Sequence, residues 1–184
     1  MKKTSIFLYG IFLLFSANAQ DKFYTKTGKI SFNASTPMEN IEAVNKSAVA
    51  LLDIKSGELQ FSILMKGFEF RKALMQEHFN NDYVESHKYT KSEFKGHVVN
   101  STEINYSKEG IYPAKVKGKL TIHGETKDIE AAGTITVKDG NLTAFSSFSI
   151  PLEDYKITVP RMVRDYISRS IKITVECLLQ SLKN

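Results

Sequence analysis

The residues of this 184-residue chain that could do chemistry are few: four histidines, one cysteine and a scatter of acids. His78 follows Glu77 in a run of helix formers, His87 falls in a polar stretch, His97 lies on a strand-like run, and His123 sits at a turn signal, Ile122-His123-Gly124-Glu125. Zinc sites usually announce themselves as close pairs such as H-E-x-x-H or C-x-x-C. Neither is present, and adjacent Glu77 and His78 leave a helix in different directions. No G-x-S-x-G elbow, phosphate-binding glycine loop or dinucleotide fingerprint appears. Glu153 and Asp154 are neighbours in a turn, a setting that solvates carboxylates rather than pairing a general acid with a base. Cys177 alternates with Ile171, Ile173, Val175 and Leu179, which makes it a small buried apolar residue, not a reactive thiol. The sequence therefore assigns no catalytic residue, no metal and no cofactor, and leaves an enzyme without a candidate site.

The elements that would position any site are strands. From Glu109 to Gly140 two runs alternate: Tyr112, Ala114, Val116, Gly118, Leu120 and Ile122 share one face, then Ile129, Ala131, Gly133, Ile135 and Val137. Lysines, threonines and acids take the other face. Successive side chains leave a strand on opposite sides, so this is an antiparallel hairpin with one dry and one wet face. Further strands are predicted over Lys29–Ala34, Ala43–Asp53, Leu59–Lys66, Ser92–Asn105, Leu142–Ile150 and Ser170–Leu179, with Gly96 marking a bulge or bend. One stretch changes period. Arg71–Phe79 predicts a short helix that must lean on the sheet, since so few residues are marginal as an isolated helix. Asn80–Lys91 reads as a long loop of the kind that often binds. A short helical turn is predicted at Arg161–Asp165.

About eight strands with short connections predict an all-β, eight-stranded antiparallel barrel with one short α-helix, because long strands that cannot leave open edges close on themselves. Such a barrel is just wide enough to be filled by its own side chains or to hold one small ligand. The dry face mixes large residues with Ala and Gly, and that mixture suits either a filled taper or a pore.

The beginning of the chain reads differently. Lys2 and Lys3, the apolar run Ile6–Phe15 and Ala17-Asn18-Ala19 predict a secretory signal peptide over 1–19, leaving 20–184 as one domain in the periplasm or secreted. Its removal takes away two lysines and no acids, so the net charge falls from +5 to +3. Basic residues are spread over the wet faces, and nucleic acid is not an expected partner.

The run Gly118–Val137, GKLTIHGETKDIEAAGTITV, resembles the most identifiable hairpin of the YceI-like, polyisoprenoid-binding proteins, with its G-x-L-T-x-H-G-x-T-K pattern. Lys66–Gly96 resembles the region after that family's early strands, with Tyr89-Thr90 and Phe94-Lys95-Gly96 at its identifiable positions. Ser31-Phe32-Asn33 lacks the His-Ser of many members, and Thr90 stands where Pro is common. The resemblance spans roughly Ile30 to Leu179. It implies an extended, lipocalin-like barrel whose apolar pore holds a long-chain ligand: a polyisoprenoid, an isoprenoid quinone or a fatty acyl compound. On that basis Phe32, Phe61, Ile63, Tyr112, Ala114, Val116, Gly118, Leu120, Ala131, Gly133, Ile135 and Phe148 would line the pore, with Leu74 and Met75 of the helix covering or flanking it. His78, His87 and Tyr89 would offer polar contacts at its opening. Transient contact with a membrane is the accompanying partner expectation, and the oligomeric state is left open.

Overall fold

The computed structural model describes residues 21–182; the expected signal peptide lies outside the described residues. Strands β1 (Lys22–Asn33), β2 (Glu42–Asp53), β3 (Glu58–Leu64), β4 (Glu69–Phe70), β5 (Lys91–Val98), β6 (Gly110–Ile122), β7 (Glu125–Lys138), β8 (Asn141–Pro151) and β9 (Ser170–Ser181) belong to one antiparallel sheet. Its order is β1-β9-β8-β7-β6-β5-β3-β2, and the pairing of β2 with β1 closes it into an eight-stranded barrel. The ninth strand, β4, continues β3 along the same edge of β2, pairing with Ala43 and Val44 after β3 has left at Val49. Asn45 fills the break. It is fully buried, donates from Nδ2 to the Leu64 carbonyl at 2.9 Å and accepts from both the Ser47 amide and the Ser47 hydroxyl at 2.8 Å.

The hairpins follow from turn chemistry. His123-Gly124 and Asp139-Gly140 each place two successive residues at positive φ, the condition for a two-residue turn whose twist matches the strands it joins. β1 begins earlier than its alternation suggests. Two consecutive outward residues, Lys26 and Thr27, break the period and add a residue to β1 in the β1–β2 ladder, and a compensating extra residue follows in β2 between Asn45 and Ala48. Gly96, by contrast, stays in register on both sides, opposite Leu59 and Gly118, and is neither bulge nor bend. β5 stops at Val98, and Ser101–Glu103 forms a helical turn where a longer strand was expected.

The two ends of the barrel differ. One is closed by short turns and by Leu52, Leu142 and Leu179, each at most 1% exposed. The closed end also carries the 99–109 connection, and the other end carries 34–41, the segment between β3 and β5 that holds helix α1 (Ala73–His78), and 152–169. The expected long loop after α1 opens with a wide helical turn, Phe79–Tyr83, and is docked against the barrel through Val84 and Ser86, both buried. At Arg161–Val163 the expected helical turn is present.

Candidate functional site

Inside the barrel lies an apolar cavity of about 420 Å³, within the range of small-molecule sites. Leu52, Leu59, Val98 and Leu179 form its floor. Residues from every long strand form its wall, and Met75, His78, Tyr83, Glu39 and Tyr166 surround its mouth. Two serine hydroxyls in the wall are already engaged: Ser92 donates to the Thr121 carbonyl at 2.8 Å and Ser146 to the Ala132 carbonyl at 2.7 Å. A ligand meets mostly hydrocarbon along the tube, since the lining is dominated by apolar side chains and these two serines are bonded to backbone.

Phe32, Phe61, Ile63, Met75, Ala114, Val116, Leu120, Ala131, Gly133, Ile135 and Phe148 all lie in the wall of this cavity. Three expected wall residues do not. Leu74 is 62% exposed, because the helix turns Met75 and His78 to the mouth and leaves Leu74 on the solvent side. Tyr112 is drawn toward the closed end, where its hydroxyl donates to the Lys108 carbonyl at 3.0 Å. Gly118 faces inward but is covered by the Phe94 ring, whose Cζ lies 2.7 Å from where a Cβ would stand.

Four phenylalanines close one side of the mouth: Phe32 stacks on Phe79 at 5.4 Å, and Phe68 and Phe70 meet both edge-on or tilted at 5.1 to 5.8 Å. Phe68, Phe70 and Phe79 went unassigned in the sequence. Phe68 and Phe70 lie before α1, where no period runs long enough to show a face, and Phe79 shares the expected apolar face of the helix without being assigned to the pore.

Of the expected polar mouth, His78 is present at the rim, with Nδ1 2.6 Å from the Asp82 carboxylate. His87 is exposed and outside the wall, and Tyr89 packs edge-on against His123 with ring centroids 4.4 Å apart. That contact belongs to a second cluster beside the mouth. His123 Nε2 lies 2.8 Å from the Glu85 carboxylate and its Nδ1 3.1 Å from the Tyr155 carbonyl, so both ring nitrogens face acceptors. The hydrogen bond from His123 holds the Glu85 carboxyl below the usual carboxylate range. Lys156 adds an ion pair with Glu125 at 2.7 Å. The β6–β7 turn is thus pinned both to the loop after α1 and to the turn Leu152–Tyr155. No sequence signal joins residues 38 positions apart.

Tyr155 is 1% exposed, its hydroxyl has no hydrogen-bond partner among the described residues, and burial pushes its pKa up to about 12. Burial likewise pushes the Cys177 thiol up to about 11, consistent with an inert packing residue. The described residues hold no group of three or more His, Cys, Asp or Glu able to share a metal ion.

The same barrel occurs in solved structures. A polyisoprenoid binding domain from Saccharophagus degradans, implicated in plant cell wall breakdown, superposes with a TM-score of 0.76 at 12% identity, covering 89% of this chain and 99% of that one. Burkholderia cenocepacia BcnA gives 0.67 at 16% identity, covering 83% and 95%. The Campylobacter jejuni YCEI protein gives 0.55 at 18% identity, covering 100% and 92%. At these identities the likeness is one of fold. A search of curated proteins finds no match. The model of the YceI-like domain matches residues 3–179, almost the whole sequence, and the chain belongs to the YceI-like family.

Proposed function

We propose that this protein is an exported, non-enzymatic carrier or reservoir that holds a long-chain apolar ligand in the barrel: a polyisoprenoid, an isoprenoid quinone or a fatty acyl compound. The observation that carries the reading is the apolar cavity of about 420 Å³ running from the mouth to the Leu52 and Leu179 floor. A barrel that served only as a rigid interaction module would fill this space with its own side chains, since protein interiors pack to crystal density. Ligand burial is driven at about 25 cal/mol per Å² of apolar area taken from water. The fold neighbour described as polyisoprenoid binding supports this choice of ligand class.

The open end supports loading from a bilayer. Met38 is 63% exposed, Leu74 62% and Met162 92%, and they come from the three separate connections that gather at the mouth. Apolar tips beside an apolar cavity suit a transient contact with a membrane surface, in which the ligand passes without crossing water. The signal peptide reading at 1–19 supports export. The test is native mass spectrometry of freshly purified mature protein, followed by lipid extraction. A long-chain apolar compound should co-purify. Absence of one, together with no binding of added quinones or fatty acids, overturns the reading.

A further inference from the structure

The barrel wall is not equally continuous around its circumference. β6 and β7 pair from Gly110 with Val137 to Ile122 with Glu125, and β8 and β9 from Leu142 with Leu179 to Pro151 with Ser170. β7 and β8 pair only from Lys138 with Asn141 to Gly133 with Ser146. Both strands continue past that point, β7 back to Glu125 and β8 on to Pro151. A two-residue turn at Asp139-Gly140 makes Lys138 and Asn141 a hydrogen-bonded pair, and alternate pairs follow, ending at Thr134 with Phe145. The next would join Ala132 to Ser147. Instead the Ala132 carbonyl accepts the Ser146 hydroxyl. Beyond it, the ladder groups of Glu130 and Asp128 on β7 and of Ser147 and Ser149 on β8 have no partner strand.

The seam is framed. Its base is the last rung, where the strands approach so closely that a Cβ on Gly133 would run into the Phe145 carbonyl oxygen. Its top is the turn Leu152–Tyr155, held by the Tyr155 carbonyl to His123 and by Lys156 to Glu125. Small residues, Ala131, Gly133, Ala144 and Ser146, face the cavity around the base, and the outward-pointing pair Thr134 and Phe145 also contributes to the cavity wall. The cavity therefore reaches the base of the seam, just below its unpaired groups.

We propose that this seam seats the polar head of an amphipathic ligand whose chain fills the cavity, the head being a compact hydrogen-bonding group such as a carboxylate, amide or hydroxyl. Unpaired strand groups alternate N–H and C=O in the plane of the wall and suit such a head, whereas bare hydrocarbon would leave them unsatisfied. The sealed floor allows no exit at the far end, and the small residues leave room for a chain to turn from the tube into the wall. Neighbouring acids do not repel a carboxylate strongly, because Asp128 and Glu130 are paired with Lys119 and Lys117. The inference rests on the carrier reading and adds where the head resides.

The chain has no tryptophan, so single reporters can be read without background in the full-length mature protein. Phe145→Trp marks the outer base of the seam, Phe148→Trp the interior beside it, and Met75→Trp the mouth. Each is titrated with stearate bearing a nitroxide quencher either next to the carboxylate or near the methyl end. The head-proximal label should quench Phe145→Trp and Phe148→Trp more strongly than the tail label does, and should spare Met75→Trp. Head-proximal quenching of Met75→Trp without quenching of Phe145→Trp places the head at the mouth and overturns the seam assignment while leaving the carrier reading intact. Quenching of no reporter by either label overturns both.

Discussion

Gly96 and Gly118 face each other across β5 and β6, and the ring of Phe94 lies over the pair. A Cβ on Gly118 would stand 2.5 Å from the Gly96 Cα and 2.5 Å from the Lys95 carbonyl oxygen. Two strands and a ring are in contact here, so the missing side chains serve packing and add nothing to the cavity.

Gly118→Ala should therefore destabilise the barrel by about 1–3 kcal/mol, the usual range for overpacking, because backbone and not a flexible side-chain end must move. A glycine whose missing Cβ would project into open cavity, clear of backbone, would accept the same methyl at little cost. Urea denaturation of the two proteins measures the difference.

Filling the true cavity should do the opposite. Ala114 lies on the inward face of β6 and belongs to the cavity wall. Ala114→Phe should place its ring in the empty volume, leaving the fold intact and abolishing co-purification of lipid. Native mass spectrometry with circular dichroism checks both halves, and retained lipid in a folded variant would contradict the assignment of the cavity as the ligand site.

The Glu85 to His123 contact gives a pH dependence whose sign is fixed. Hydrogen bonding from His123 lowers the Glu85 pKa in the folded state, so the carboxylate contributes stability above the unfolded value, about 4.3, and loses it as pH falls through the lowered native value. Glu85→Gln should be less stable than the parent at neutral pH, and the gap between their urea midpoints should close in acid, where Glu85 is protonated. An unchanged gap would mean that the Glu85 to His123 hydrogen bond does not anchor the turn.

What the sequence makes legible is the periodic part. Ala114, Val116, Leu120, Ala131, Ile135 and Phe148 lie on long uninterrupted strands, and alternation alone puts them on the inner face. Alternation tells direction but not depth or cover, which is why Tyr112 and Gly118 share the face without lining the cavity. The non-periodic part was hidden for the same reason. Phe68, Phe70 and Phe79 belong to short elements, and His123 meets Glu85 only because two connections happen to cross at one end of the barrel. The parting of β7 from β8 leaves no mark on either strand's pattern, since each keeps its other neighbour.

Asn45 predicts a local effect. Its side chain bridges the end of β3 to β2 with no exposure to solvent. Asn45→Ala should cost about 1–3 kcal/mol by leaving the Leu64 carbonyl without its donor. Hydrogen exchange should quicken around Leu64–Phe70 before the rest of the barrel responds.

Tyr155 predicts a substitution that costs nothing. Its ring is buried and contributes to the core, but its hydroxyl is shut away from water without a partner. An unsatisfied buried hydroxyl carries an uncompensated desolvation penalty, so its removal restores what burial took, in contrast to the usual loss when a bonded tyrosine is truncated. Tyr155→Phe keeps the ring and should leave stability unchanged or raise it by up to about 2 kcal/mol, whereas Tyr155→Ala should cost about 3–5 kcal/mol, as for other large aromatic truncations. A destabilised Tyr155→Phe variant would mean that the hydroxyl finds a partner in solution, an ordered water being the first to look for.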